Sequence, residues 1–349
     1  MKTVDLRSDT LTLPTPAMRE AIFRAELGDD YYHEDPTVNR LQRMAADMLE
    51  MEDALFVASG TMANLVAILT HCESDDRVLA GDESHIHHYE GDGIRHLAGV
   101  DLRTIPNDEC GRIDPAQLEN ALWESEGSSI GLVCLENTHM RCGGTLLTAA
   151  YTQQIGSIAH ERGVPLHLDG ARIFNAAVAL GVPVASLVQD VDSVMFCLSK
   201  GLACPVGSVL CGSGEFIARA RLSRRWVGGS MRQVGIIAAA GIIALETMID
   251  RLADDHANAR LLAEGLIGTS GIQIEPSDVQ TNIVIFTLRG WEAPDFLAEI
   301  AQEGVLAMPV GPDKVRMVTH YGIERGDIGQ AVERIEKVLQ RRAHGKAAE

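Results

Sequence analysis

Residues 165–177 read PLHLDGARIFNAA, and this stretch decides the predicted fold. A short apolar strand ends at Asp169, and a helix begins a few residues later. An acid at the carboxyl end of a central strand faces the ligand crevice of an open α/β sheet, so Asp169 is a candidate site residue. Asp169 also stands where the following helix would take its N-cap, and position alone does not separate the two interpretations.

The same alternation of strand and helix extends outward from this stretch. Continuous apolar runs predict buried strands at DALFVAS (53–59), RVLAG (77–81), DLRTIP (101–106), IGLVCLE (130–136), SVMFCLS (193–199) and GSVLCG (207–212). Helical patterns separate and follow them, including those at 85–97 and 213–226. These repeats predict an α/β protein with a mostly parallel central sheet and helices on both faces.

Beyond a long predicted helical stretch at about 233–266, the pattern changes. Short strands follow at GIQIEP, NIVIFTL, VLAMP and VRMVTH, with helices at 293–303 and 326–342. We expect three parts: an N-terminal arm at 1–14, a large domain at 15–252 and a smaller C-terminal α/β domain at 253–349.

Composition excludes several classes of protein. The 349-residue chain has a formal net charge of -19, and an acidic surface repels phosphate backbones, so nucleic-acid binding is not expected. No apolar stretch is long enough to span a membrane, and MKTVDLRSDT lacks the apolar core of a signal peptide. Seven cysteines without a C-x-x-C pair fit a reducing cytoplasm.

Two further stretches hold candidate site residues. In FCLSKGLACPVGS (196–208), Lys200 follows an apolar strand among small neighbours. A partly desolvated lysine there can act as an amine nucleophile, and the alternative is a solvated loop lysine. In VASGTMANL (57–65), Gly60 and Thr61 open a helix after a strand, where backbone N–H groups can hold a phosphate. A phosphate cup, a strand-end acid and a strand-end lysine, in this order, suit pyridoxal phosphate.

The stretch HIHHYEGDGIRH (85–96) holds four of the twelve histidines. One hypothesis is a zinc site, with His85 and His88 one helical turn apart and Glu90 or His96 as a third ligand. No H-E-x-x-H motif supports it, and we expect no metal. The other hypothesis gives only His85 a chemical role, with Tyr89 and Glu90 one turn on as its partners.

Eight motifs occur in order along the chain: DLRSDT (5–10), GDD…EDPTVN (28–39), SGTMANL (59–65), LENTH (135–139), LHLDGARIFNA (166–176), CLSKGL…PVGS (197–208), GGSMRQ (228–233) and VRMVTH (315–320). In this order and spacing the chain resembles the L-threonine aldolases, which are pyridoxal-phosphate enzymes of the aspartate-aminotransferase-like fold type I. The match runs nearly end to end.

The resemblance implies roles for the cofactor-binding residues. Lys200 is expected to form the internal aldimine, and Asp169 to pair with the pyridine nitrogen. His85 is expected to stack on the ring. The other expected cofactor contacts are Gly60, Thr61 and, from a neighbouring subunit, Arg232 at the phosphate, and Arg172 near the phenolic oxygen.

The resemblance also implies the substrate contacts and the reaction. The expected substrate-binding residues are Ser8, Arg172 and Arg316 at the carboxylate, with Tyr89 and a neighbouring subunit's Tyr32 nearby. The implied reaction is retro-aldol cleavage of L-threonine or L-allo-threonine to glycine and acetaldehyde, through the Lys200 aldimine and a glycine quinonoid. His85 is the leading base for the β-hydroxyl proton, and a bound water is its rival. The alternative is a phenylserine-type aldolase or a β-eliminating lyase. Homotetramers with shared active sites are expected.

Three departures from the family pattern concern the mouth of the site. His33 replaces the usual glycine after GDD-x-Y, and Arg225 replaces the usual lysine before GG-x-MRQ, with Trp226 next to it. The segment WESEGSSIGL (123–132) is short and lacks a histidine found in some family members. These departures leave the preferred β-substituent open.

Overall fold

A computed structural model of the chain describes residues 2–123 and 129–346. Part of the short segment noted above, residues 124–128, therefore lies outside the described residues. The described helices are α1 Pro16–Phe23, α2 Pro36–Leu49, α3 Gly60–His71, α4 Gly91–Ala98, α5 Pro115–Trp123, α6 Ala149–His160, α7 Ile173–Leu180, α8 Val184–Val188, α9 Gly214–Trp226, α10 Gly235–Thr247, α11 Leu252–Leu266, α12 Ala293–Gln302 and α13 Arg325–Lys346. The described strands are β1 Val4–Asp5, β2 Asp53–Val57, β3 Arg77–Gly81, β4 Asp101–Ile105, β5 Ile130–Glu136, β6 Leu166–Asp169, β7 Ser193–Cys197, β8 Ser208–Gly212, β9 Ile272–Gln273, β10 Ile283–Leu288, β11 Val305–Leu306, β12 Met308–Pro309 and β13 Lys314–Val318.

The central sheet has seven strands in the order β2-β8-β7-β6-β5-β3-β4. Strands β3 to β7 pair in parallel, whereas β8 runs antiparallel to β2 and β7. This arrangement confirms the predicted mostly parallel sheet. Strand β6 lies in the middle, so its carboxyl end opens at the centre of the sheet edge, where ligands of such sheets bind.

Helices bury both faces of this sheet. Phe56 and Phe196 point into one core, which also contains residues of α2 and α10. Their strand neighbours Leu55 and Met195 point into the opposite core, beneath α3 and α9. Alternation of side chains along each strand thus supplies two apolar layers, which explains the continuous apolar runs in the sequence.

A separate core lies in the C-terminal part of the chain. Strands β12, β13, β10 and β9 form an antiparallel sheet. The apolar side chains of β13, β10 and β9 pack with those of α11, α12 and α13. The N-terminal strand β1 pairs in parallel with β11, and Val4 and Leu6 are fully buried in this same core. Part of the predicted arm therefore joins the C-terminal unit. The boundaries at 14/15 and 252/253 stay predictions.

Two helical predictions differ from the structure in detail. The stretch 233–266 forms two helices, α10 and α11, with a turn at 248–251 between them. The Thr247 hydroxyl bonds back to the Ile243 carbonyl near the end of α10, and the Arg251–Asp255 ion pair spans the first turn of α11. The stretch 85–97 is helical as predicted, but residues 86–90 form a wider π-helical turn before α4. Among the described residues, no helix is long and apolar enough to cross a membrane.

Gly170 tests how tightly the sheet edge is packed after Asp169. A Cβ at this position would lie 2.7 Å from the Met195 carbonyl oxygen, which already accepts the Gly170 N–H at 2.9 Å. We expect Gly170→Ala to lower the free energy of unfolding by about 1–3 kcal/mol, because backbone must move to relieve the contact. The matched control is Gly93→Ala in α4, where a Cβ meets nothing within 4 Å. It should raise stability by about 0.5–1 kcal/mol. Urea unfolding measures both, and equal effects would contradict the packing interpretation.

Candidate active site

Two buried carboxylates lie side by side at the carboxyl edge of the sheet. Glu136 ends β5, Asp169 ends β6, and the two residues are paired in register. Asp169 Oδ1 accepts the Ala171 N–H at 3.0 Å, which caps the turn that follows the strand. Asp169 Oδ2 accepts a hydrogen bond from Asn64 Nδ2 at 2.9 Å. Both interpretations of Asp169 therefore hold: Oδ1 caps the turn, and Oδ2 is a strand-end carboxylate oxygen held by Asn64.

Asn64, from α3, joins Asp169 to a second buried acid. Its Nδ2 donates to Asp169 and, at 3.2 Å, to Glu90 Oε1. Because carboxylates only accept, the amide nitrogen must face them, and Asn64 Oδ1 then faces His167 Nε2 at 3.2 Å. His167 must consequently be protonated on Nε2.

A chain of hydrogen bonds continues from Asn64 through His167, and its donors are oriented in the same direction. The Ser193 hydroxyl lies 2.9 Å from His167 Nδ1 and 2.8 Å from His71 Nε2. Burial lowers the pKa of His167 to about 4 and the pKa of His71 to about 3, so both rings are neutral near pH 7. Neutral His167 accepts from Ser193 at Nδ1, and Ser193 accepts from His71. Every donor in this chain thus points toward Asp169.

His85 faces the same carboxylates from the helical segment 85–98. Its Nδ1 lies 2.8 Å from Glu90 Oε1, and its backbone N–H donates to Glu136 Oε2 at 2.7 Å. Burial lowers the pKa of His85, but the Glu90 hydrogen bond and the charges of Asp169 and Glu136 outweigh it and raise the pKa above its ordinary value. The structure therefore brings His85 and Asp169 together.

The predicted phosphate cup begins α3. The Ser59 side chain accepts the Met62 N–H at 3.2 Å, and the Ser59 carbonyl accepts the Ala63 N–H. The amides of Gly60 and Thr61 precede these bonds, in the first turn where helical N–H groups point outward. Gly60 also packs closely, since a Cβ there would lie 2.9 Å from Cys197 Sγ on β7.

Arg172 pairs with Asp9 of the N-terminal arm, and Lys200 lies close enough for its charge to act on the same carboxylate. Arg172 donates from Nε and Nη2 to the two Asp9 oxygens at 2.7 and 2.8 Å, and both side chains are buried. Burial alone raises the pKa of Asp9, but Arg172 outweighs it, and with Lys200 holds the pKa well below the ordinary range. Thr12, also in the arm, donates to the Lys200 carbonyl at 2.9 Å.

Arg316 is a half-buried cation with spare donors. Its Nη2 lies 3.5 Å from the Arg7 carbonyl, and its Nε has no partner among the described residues. Burial and the nearby Arg172 charge lower the pKa of Arg316. The Ser8 oxygen, close by in sequence to Arg7, accepts from the Thr10 amide and hydroxyl, which leaves its own proton to donate.

Tyr32 and Arg232 lie on an exposed surface. Arg232 Nη1 is 3.5 Å from Asp29 Oδ2, and its guanidinium lies over the Tyr31 ring. Tyr32 is 64% exposed, and the contacts of Arg232 with Asp29 and Tyr31 do not join it to Lys200. His33 next to it has φ 59°, the left-handed region that favours glycine, which explains the usual residue there.

The remaining histidines of 85–96 lie away from Asp169. His88 Nε2 is 3.5 Å from Glu83 Oε2, and His87 and His96 are exposed. The side chains that lie close to His85 are Glu90 and Asp169, and His88 is not among them. The structure therefore does not bring together the His85–His88 pair of the zinc hypothesis. Tyr89 is exposed, its ring lies 4.8 Å from that of His85, and its hydroxyl accepts from Arg141.

Sequence reasoning missed three residues that organise the site: Asp9, Asn64 and Glu136. Each stands inside a motif quoted for other residues. Asn64 and Glu136 gave a usable signal, because each is a polar side chain in an otherwise apolar helix or strand. Asp9 gave none, since its partner Arg172 is 163 positions away.

The chain is similar to known proteins over nearly its whole length. The family model described as beta-eliminating lyase matches residues 5–289. Low-specificity L-threonine aldolase 1 of Arabidopsis thaliana is 44% identical over 94% of each chain. Low specificity L-threonine aldolase of Escherichia coli K12 is 40% identical, over 94% of this chain and 96% of its own. A threonine aldolase structure from Leishmania major superposes with a TM-score of 0.84 at 23% identity, covering 96% and 99% of the two chains.

The buried Asp9–Arg172 pair can be tested by a double-mutant cycle. Asp9→Asn leaves a buried guanidinium without its counter-charge, so we expect a loss of about 3–5 kcal/mol in the free energy of unfolding. The double variant Asp9→Asn with Arg172→Met should lose far less than the sum of the single variants. The control cycle uses the exposed pair Asp108–Arg112, whose coupling should be much smaller. Additive losses at Asp9 and Arg172 would contradict the assignment.

Proposed function

The chain belongs to the threonine aldolase branch of the β-eliminating lyases, and from that premise we propose that it cleaves L-threonine and L-allo-threonine to glycine and acetaldehyde. The observation that carries the proposal is the meeting of opposite charges at one sheet edge. Asp169 and Glu136 form an anionic wall, whereas Lys200, Arg172 and Arg316 supply cations. An amino-acid substrate and pyridoxal phosphate need both.

The residues fit pyridoxal phosphate. Buried Asp169 is held by Asn64 and a backbone amide, as a partner for a protonated pyridine nitrogen must be. Lys200 would hold the cofactor covalently through its amine, and the Gly60 and Thr61 amides would hold the phosphate. When bound, the cofactor supplies an electron sink for the pair left on Cα when the Cα–Cβ bond breaks.

Arg316, Arg172 and Ser8 would hold the substrate carboxylate. Arg316 offers an Nε without a partner among the described residues, and Ser8 offers a hydroxyl proton. Arg172 has two nitrogens bound to Asp9, so only Nη1 is available for substrate or cofactor. Fixing the carboxylate sets the torsion about Cα and thereby selects which bond breaks.

His85 would take the β-hydroxyl proton as the Cα–Cβ bond breaks, with a bound water as the alternative base. Positioned proton transfer contributes roughly 10²–10⁴-fold. The His85 ring is partly exposed on one side and bonded to Glu90 on the other, so one nitrogen stays accessible. Tyr89 would contact substrate at the rim.

The surface around Tyr32 and Arg232 would be shared with a second copy in a homotetramer. Trp226 is 71% exposed and Tyr32 64%, and exposed large aromatic side chains favour an interface. Arg232 would reach the phosphate of the neighbouring site. The cytoplasm is the proposed compartment, since all seven cysteines are free thiols.

The products identify the reaction. With L-threonine and added pyridoxal phosphate, we expect equal amounts of glycine and acetaldehyde. Ammonia and a 2-oxo acid would instead indicate β-elimination and overturn the proposal. Faster cleavage of phenylserine than of either threonine diastereomer would indicate a preference for bulky β-substituents.

Lys200→Ala should abolish turnover and the yellow colour of the bound cofactor, and a variant that retains both would exclude Lys200.

Subunit sharing can be tested with hybrids of two inactive variants. When Lys200→Ala and Arg232→Ala chains are co-expressed, mixed assemblies contain sites with neither change, so up to about a quarter of the activity should return. The control pair is Lys200→Ala with Asp169→Asn, two positions expected in the same chain's site, which should not recover. Equal recovery in both mixtures, or none in either, would contradict the shared site.

A further inference from the structure

Glu90 is a buried acid to which the proposed function assigns no task. It is only 4% exposed, and its Oε1 accepts from both His85 Nδ1 and Asn64 Nδ2. Its Oε2 has no hydrogen-bond partner among the described residues. Burying a carboxylate is costly, and this one is compensated mainly by an imidazole and an amide.

The π-helical turn at 86–90 makes the contact with His85 geometrically accessible. In an α-helix of 3.6 residues per turn, positions i and i+5 lie on different faces. A π turn closes its hydrogen bonds five residues apart, so it brings position 90 back beneath position 85. The Glu136 carboxylate holds the start of this turn through the His85 backbone N–H.

We propose that Glu90 is a positioning residue that keeps a proton on His85 Nδ1 and so leaves Nε2 as the nitrogen that accepts a proton. A carboxylate can only accept, so the hydrogen in the Glu90–His85 bond belongs to Nδ1. The bond made by one ring nitrogen decides which state the other adopts. Asn64 fixes the Glu90 oxygen for this bond, because the same amide group is anchored on Asp169.

All the charged groups that face His85 raise the pKa of its ring. They are Glu90 on its own helical segment, Asp169 on β6 and Glu136 on β5, and each favours the imidazolium. Burial of the ring opposes them. Removing the Glu90 charge should therefore let His85 lose its proton at lower pH.

This inference rests on the proposed function for its chemical consequence. The β-hydroxyl proton passes to His85 Nε2, the Cα–Cβ bond breaks, and its electron pair stays on Cα. The β-oxygen becomes the carbonyl of acetaldehyde. Glu90 touches neither substrate nor cofactor in this scheme and acts through His85 alone.

The test measures the ring directly, in the protein before cofactor is added. Long-range ¹H–¹⁵N correlations on histidine-labelled protein distinguish Nδ1–H from Nε2–H, and the His85→Asn variant identifies the signal. We expect neutral His85 to be protonated on Nδ1. In Glu90→Gln, the midpoint of its titration should move to lower pH. Glu90→Asp, which keeps the charge, should lie between the two, and Asp92→Asn, an exposed acid in α4, should leave the titration unchanged.

Activity supplies the second measurement. With cofactor bound, Glu90→Gln should lower kcat for threonine cleavage by about 10- to 100-fold, and move the acid limb of the pH profile to lower pH. A wild-type ring protonated on Nε2 would overturn the proposal, even if the variants do not fold. Loss of activity in Glu90→Gln with an unchanged His85 titration would also overturn it. If wild-type protein makes no glycine, the proposed function fails while the ring measurement still decides the role of Glu90.

Discussion

Two carboxylates buried at the ends of neighbouring strands are the constraint on which the site depends. Taking a carboxylate out of water costs several kcal/mol unless donors replace the lost hydration. Glu136 takes its donors from the His85 and Met140 amides, so it fixes the start of one helical segment and the loop after LENTH. Asp169 takes its donors from Ala171 and Asn64. Satisfying the two acids therefore positions the groups that surround them.

The cationic residues of the site are also positioned by the need to compensate buried charge. Here the compensating carboxylate comes from the N-terminal arm. Arg172 immediately precedes α7, in the turn after β6, but its partner Asp9 comes from the N-terminal arm. That arm is held in place by β1, which pairs with β11 in the C-terminal unit. Asn282, the residue before β10, also donates to Asp9 at 3.3 Å. The C-terminal unit thus contributes to the site both through Arg316 and by holding the arm that neutralises Arg172.

Much of this arrangement could be predicted from local sequence, because strand ends are local features. Asp169 and Lys200 each stand at or shortly after the end of an apolar run. If the runs are strands of one parallel sheet, both residues must lie at its carboxyl edge. The partners of these residues could not be predicted in this way. Asp9 and Arg172 meet only through the tertiary fold, and although Asn64 stands out as a polar residue in an apolar helix, its partners Asp169 and Glu90 come from distant segments. The expected contacts of Tyr32 and Arg232 depend on a second copy, which no local pattern describes.

For the four histidines of 85–96, α-helical periodicity does not predict which side chains share a face. With α-helical spacing, His85 and His88 would share a face, which makes a metal pair the natural hypothesis. The π turn changes that register, so His85 instead shares a face with Glu90, while His88 turns toward Glu83. The turn is anchored by Glu136, an acid 51 positions further on. One distant carboxylate therefore holds the start of the segment in which His85, and not His88, meets Glu90.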